Sequence, residues 1–479
     1  MITDYSAVNE TLWNPIIQMG IIAATILVAN ILRRKLRIVR KSMVPTAVLG
    51  GLLLFAVKIL FKQCFGIDFL DGTFLEELTY HGIAIGFIAM SLRIPQKDSN
   101  QKMNRVGLRS GAAIVSSYMI QGIFGLGISL GLAYTIKPDL FKASGILLPL
   151  GYGQGPGQAN NTGSVYQIDW GFAGGRSFGL ALAAAGYLSA CIVGVCYLNY
   201  LLKKGKIQKV DQELVDGSVT VDNFQDKDEM PIAESLDRLS MQFALVIAVY
   251  LATFLVTWGL TSLLSSISEG LGKTLNGLIW GFNFMVGSGL AMALRSILKN
   301  LRKNKIMKKQ YQNNYLLSRI SGLAFDIMII AGIASINIED LSGLWLPFAL
   351  MAVAGAVVTL LHLKYVSKRI YPTYYYEGLM SMYGMMTGTI SSGVLLLREV
   401  DPKLETPAAN NLITGSGFAI MLGVPMLILI GMAPKSALMT WITLGVMVVY
   451  YFILLLLACG GSGKFRSEEK EASTETVQQ

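Results

Sequence analysis

Apolar stretches of about 20 residues recur along almost the whole chain, each long enough to cross ~30 Å of hydrocarbon. They fall near residues 14–32, 43–61, 75–92, 110–135 and 172–202, then 239–265, 276–298, 315–336, 343–363, 411–432 and 436–459. Lipid offers no partner to a backbone amide or carbonyl, so segments of this kind must close their own hydrogen bonds as helices. Composition agrees. The 479 residues are 53% hydrophobic and 15% charged, where a soluble domain carries about 25% charged residues. The expected fold class is an all-α polytopic membrane protein.

Lysine and arginine set the expected orientation. "RRKLRIVRK" (33–41), "RIPQKDSNQKMNRVGLR" (93–109), "KKGK" (203–206), "KNLRKNKIMKK" (299–309) and "KYVSKR" (364–369) are all basic. With the N-terminus outside, every one of these loops falls in the cytoplasm, as the positive-inside rule requires. "GIDFLDGT" (66–73) and "NIEDLSG" (337–343), left outside, are poor in cations. The first apolar run has its positive charge behind it and reads as a retained helix, not a cleaved signal peptide. The net charge of +10 sits in these short loops, so it argues for a membrane and against nucleic acid. Cys64, Cys191, Cys196 and Cys459 show no CxxC spacing and read as packing residues.

Five helices precede a polar segment at 203–238, so the second half enters the membrane from the opposite side. That parity belongs to an inverted repeat. The expected plan is a first repeat over 1–202, a cytoplasmic connector at 203–238 and an inverted repeat over 239–433. An extra helix at 434–460 and a disordered tail at 461–479 complete it. Each repeat carries an uncharged glycine-rich segment between its fourth and fifth helices. "YGQGPGQANN" (152–161) aligns without gaps on "YGMMTGTISS" (383–392), pairing Tyr152 with Tyr383, Gly153 with Gly384 and Gly157 with Gly388. Irregular backbone at membrane depth survives only where protein or a water-filled cavity surrounds it. Residues 144–167 and 377–397 are therefore expected to be re-entrant hairpins whose tips meet near the midplane.

Two halves of opposite parity with such segments resemble the bacterial sodium/glutamate symporters; "YGQGPGQANN" and "YGMMTGTISSGVLLLREVDP" are similar to that family's vertex motifs. The resemblance covers roughly residues 14–430. It implies a secondary carrier in the bacterial cytoplasmic membrane that takes up an acidic amino acid, glutamate first, with sodium as the coupling ion. It also implies a homodimer working by an elevator motion. The chain departs from the family's glycine pattern, reading "GYGQG" and "YGMMTG". A carrier of another di- or tricarboxylate, or a channel-like or regulatory protein without coupled transport, therefore stays open.

Glycine lets backbones approach closely and aim N–H groups at an anion. Gly153, Gly155, Gly157, Gly384 and Gly388 are the expected substrate-binding backbone, with Gln158, Asn160 and Thr389 beside them. Arg176 and Arg398, each following a hairpin, could fork onto a carboxylate. Asn161, Thr162, Thr387, Ser391 and Ser392 offer neutral oxygens to a hard cation such as sodium. Asp326, in "SGLAFDIMIIAG", is a carboxylate inside an apolar helix and calls for a cavity or a partner. Sodium is one; an ion pair with Arg319 is another. Lys58 and Arg295 are expected to reach out to the interfaces. His81 and His362 lack acidic or cysteine ligands at metal spacing, and His362 should be interfacial. No cofactor and no nucleophile–base constellation is expected, so the chain does not read as an enzyme.

Overall fold

The computed structural model describes residues 5–6, 8–36, 39, 44–94, 101–207, 232–267, 276, 279–307, 311–401 and 406–460, with the side chains of 101–104, 232–237 and 391 left aside. Most of the expected connector (208–231) and the expected tail (461–479) lie outside the described residues.

All of the regular structure described is helical. The first half contains α1 (Glu10–Lys35), α2 (Thr46–Phe65), α3 (Gly72–Leu92), α4 (Gln101–Thr135), α5 (Leu147–Gln154), α6 (Pro156–Trp170) and α7 (Gly175–Lys203). The second contains α8 (Ile232–Ile267), α9 (Asn283–Lys303), α10 (Asn314–Ala334), α11 (Trp345–Ile370), α12 (Tyr375–Thr387), α13 (Ile390–Arg398), α14 (Ala408–Leu422), α15 (Val424–Met432) and α16 (Ala437–Cys459). Eight of these are long and apolar enough to span a membrane, and the α14–α15 pair, bent by 51°, makes a ninth. The chain is an all-α multi-pass membrane protein. The long apolar runs expected from the sequence fall on helices, except that 411–432 is split over the bent α14–α15 pair and only the later part of 276–298 lies on α9.

The bend between α14 and α15 has a local cause. Gly423 ends α14, and Pro425 in the first turn of α15 has no N–H to continue the ladder. The Met426 N–H turns to the Gly423 carbonyl at 2.9 Å, and the Leu422 carbonyl accepts instead from the Tyr450 hydroxyl of α16 at 2.6 Å. Helix α16 also lies along α4, where Gly122 leaves room for the Met447 side chain.

Contacts sort the helix ends into two groups. At one end Gln312 donates to the Leu92 carbonyl at 2.9 Å and Ser110 meets the Tyr371 hydroxyl at 2.7 Å. Arg109 there reaches the Gly460 carbonyl at 2.5 Å. Arg369 also acts on Cys459 here, so the C-terminal end of α16 lies at this end. At the other end Lys62 pairs with Glu339 at 2.8 Å, and Tyr134 stacks on Trp441. The Lys62 ammonium holds the Glu339 carboxyl below the ordinary glutamate value. Arg295 caps the Ser91 and Arg93 carbonyls at the C-terminal end of α3, at 3.1 and 3.0 Å. Lys58 likewise lies 3.4 Å from the carbonyls of Ala334 and Ile336. Both cations answer the unpaired carbonyls at helix C-termini.

The packing of the two halves follows one scheme. Helix α1 lies on α2 and α8 on α9, while α2 packs on α10 and α9 on α3. Helices α3 and α10 cross closely, with Gly82 directly against Met328, and α4 crosses α11. Into this frame fit two broken segments. In the first, a 3-10 turn (Lys142–Ile146) leads into α5, which breaks at Gly155 and returns as α6. Its two ends come back together: Phe141 stacks on Phe172 with ring centres 4.8 Å apart. The second is α12, a break at Gly388–Thr389, and α13.

Candidate functional site: two helix breaks against Tyr187

Gly155 sits at φ +88° and ψ −177°, a conformation L side chains rarely adopt. Pro156, at the first position of α6, restarts the helix with no N–H left idle. In the second segment Gly388 ends α12, and Thr389, in extended conformation, opens α13. Each break leaves carbonyls at the end of one short helix and N–H groups at the start of the next without intrahelical partners.

The two breaks lie side by side. A methyl on Gly155 would sit 3.7 Å from the Tyr187 hydroxyl and 3.9 Å from Thr389 Cγ2. One on Gly388 would sit 3.0 Å from Tyr187 Cδ1 and 2.8 Å from Ser392 Oγ. Tyr187, from α7, is thus the floor against which both tips rest; its buried hydroxyl interacts with the Thr389 side chain, and Ser392 Oγ is buried with no hydrogen-bond partner among the described residues. Asp326 acts electrostatically on the same hydroxyl. It lies mid-way along α10, on an exposed face shared with Leu323, and forms no hydrogen bond or ion pair among the described residues. Arg319, the partner weighed for it, stacks over Tyr315 at 4.8 Å instead.

The expected site residues divide. Gly155, Gly388, Thr389 and Ser392 gather at the gap with Tyr187 and Asp326 nearby. Thr387 is buried there too, its hydroxyl donating to the Tyr383 carbonyl at 2.8 Å within its own helix. The side chain of Ser391 lies outside the described residues. Gly384 packs the two arms of the second segment together, 2.6 Å from the Ser392 carbonyl for a methyl placed on it.

The α6 residues point elsewhere. Gly157 fits against Ile83 and Met328, at 2.5 and 2.9 Å from a methyl, and so serves close packing on α3 and α10. Asn161 donates to the Gly281 carbonyl at 2.7 Å, and Asn160 leans on Asn161 at 3.4 Å. Gln158 Oε1, Asn160 Oδ1 and Thr162 Oγ1 are buried without hydrogen-bond partners among the described residues. The oxygens proposed for sodium therefore form two groups, one at the gap and one facing the 280–283 turn.

Neither arginine reaches the gap as expected. Arg176 is ion-paired with Glu76 of α3, at the mouth of the first segment. Arg398 lies at the far end of α13, about 12 Å of helix from the break, where it acts on Arg33. His362 is not interfacial: it is buried between Ser116, at 3.0 Å, and Tyr451, at 3.2 Å. His81 meets the Tyr250 hydroxyl at 2.6 Å.

The gapless match of the two motifs also needs correction. It sets Gly157 against Gly388, whereas the chain breaks at Gly155 and at Gly388–Thr389, two residues out of step. Backbone conformation, not letter identity, places a break. Two residues at the tips escaped the sequence reading altogether. Tyr187 in "AAAGYLSA" and Gln121 in "YMIQGIFG" are lone polar groups inside apolar helices, and their spacing carries no mark. No protein-family model, curated protein or solved structure matches the chain.

Proposed function

We propose that the chain is a sodium-coupled carrier that takes up a small organic anion, an acidic amino acid such as glutamate first, across a bacterial cytoplasmic membrane. The observation that carries this reading is the meeting of two helix breaks against one buried tyrosine hydroxyl, on which the Asp326 carboxylate also acts. Helix N-termini at α6 and α13 present free N–H groups to an anion, while the C-termini of α5 and α12 present free carbonyls to a cation. Tyr187 and Ser392 each have a hydroxyl to donate to a carboxylate. Asp326 supplies the charge that makes a mid-depth sodium site worth occupying. Sodium and substrate bound together would each offset part of the other's charge.

The shared packing scheme of the halves supports an inverted repeat, with the basic end in the cytoplasm and the N-terminus outside. On that basis the two broken segments form the moving unit of an elevator carrier, which would work as a homodimer in the lipid bilayer. One net positive charge carried inward gains ~2.3 kcal/mol per 100 mV, enough for sodium in excess to concentrate the anion.

The test is uptake of labelled glutamate into proteoliposomes with and without an inward sodium gradient. Accumulation that needs the gradient is expected. Competition by unlabelled di- or tricarboxylates at lower concentration than glutamate moves the substrate to those anions. Uptake indifferent to the gradient for every anion tried overturns the coupled carrier.

A further inference from the structure

Gln121 of α4 is fully buried at mid-depth, and its side chain, like that of Tyr187, touches both broken segments. Its amide nitrogen donates to the Met386 carbonyl at 2.9 Å and to Thr359 Oγ1 of α11 at 2.8 Å. The Thr359 hydroxyl spends its own hydrogen on the Gly355 carbonyl at 2.6 Å, so toward Gln121 it can only accept. The Met386 carbonyl likewise only accepts. Both partners therefore demand the nitrogen, and the orientation of the amide is settled by chemistry. Its oxygen is left against Gly153 of α5, 3.1 Å from where a methyl on that glycine would lie, with no donor in reach.

Met386 belongs to the last turn of α12, whose carbonyls lose their intrahelical donors because the helix stops at Gly388. Gln121 supplies the missing N–H. A buried amide that leaves its own oxygen unpaired carries a desolvation penalty, so a purely space-filling side chain would do better there. Leucine or methionine would fill the volume. Neither could hold the carbonyl.

We propose that Gln121 is a positioning residue that pins the tip of the second broken segment against α4 and α11 and so fixes the width of the gap at Tyr187. The inference rests on reading that gap as the binding site. Without the amide, the end of α12 loses its anchor and the Thr389 side chain moves relative to Gly155. Gln121 touches neither bound anion nor cation; it acts through Met386.

The experiment places a reporter cysteine at Thr389, in a chain whose four native cysteines are alanine, and follows its alkylation by a small reagent in vesicles. Gln121→Met keeps the shape and removes both donors. Of the two hydrogen bonds lost, the one to the Met386 carbonyl holds the tip, and its loss predicts alkylation roughly fivefold faster than in the parent. Gln121→Glu keeps one O–H donor in its neutral form and none when charged. It is expected to match the parent at acid pH and the methionine variant at alkaline pH, a profile that shape alone cannot produce. Thr359→Val, which leaves the Met386 bond in place, is expected to fall between parent and methionine variant and serves where Gln121→Met does not insert. Parental rates in all three variants at every pH would overturn the assignment. The readout needs no transported substrate, so loss of the carrier reading and loss of this one give different results: the first silences uptake in the parent, the second leaves alkylation unchanged in the variants.

Discussion

The two broken segments reach the same gap by different constructions. The first has a short leading arm, eight residues of α5, and a long return of fifteen in α6. The second reverses this, with thirteen residues in α12 and nine in α13. At the first break the backbone itself demands glycine, since Gly155 sits at φ +88° while a methyl there would meet its neighbours only at ordinary contact distances, 3.7 and 3.9 Å. At the second the demand comes from the neighbours: Tyr187 and Ser392 crowd Gly388. One tip is shaped from within and the other from without. A conformational demand and a steric demand fail differently, because neighbours can give way and φ cannot.

Substitution can separate the two. Gly155→Val should have the largest effect, since a β-branched residue in a glycine-only conformation costs about 1–3 kcal/mol or more before any contact is counted. Uptake by the purified carrier is expected to vanish, with a lowered melting temperature. Gly388→Ala should be milder: Ser392 can rotate away, so uptake falls while the melting temperature stays close to the parent's. Equal damage in both assays for both variants would erase the distinction between the tips.

Next in size is Asp326→Asn, which removes the charge beside the gap and leaves both breaks intact. The sodium concentration for half-maximal uptake should rise by roughly tenfold, the effect of about 1.4 kcal/mol, without change in abundance. Parallel loss of abundance and sodium response would make Asp326 structural. The smallest effect belongs to Arg398→Gln. Its place at the far end of α13 predicts substrate affinity within about twofold of the parent, because surface charges away from a site contribute little. A tenfold loss in affinity would bring the end of α13 into the site after all.

Much of this architecture was readable from pattern. Runs of about 20 apolar residues and basic loops define helices and their ends, and two uncharged glycine-rich stretches can only be buried breaks. What escaped was whatever depends on a partner far away in the chain. Arg176 looked free for a carboxylate because Glu76 is a hundred residues earlier. Gly157 looked like a tip because its letters match Gly388, yet its neighbours are Ile83 and Met328. Tyr187 and Gln121 matter only through what folding sets against them, and a lone polar residue in an apolar run carries no record of that.

The bend at Gly423 has a consequence for how the protein is made. The Leu422 carbonyl there is closed by Tyr450, and the groove beside Gly122 is filled by Met447, both from α16. Helix α4, synthesised more than three hundred residues before those side chains, waits with that groove open until α16 emerges. The frame around α4 therefore cannot close piecemeal from the N-terminus. Helix α16 acts as a bolt slid home late, and a chain cut short before it would enter the membrane with its frame unlocked.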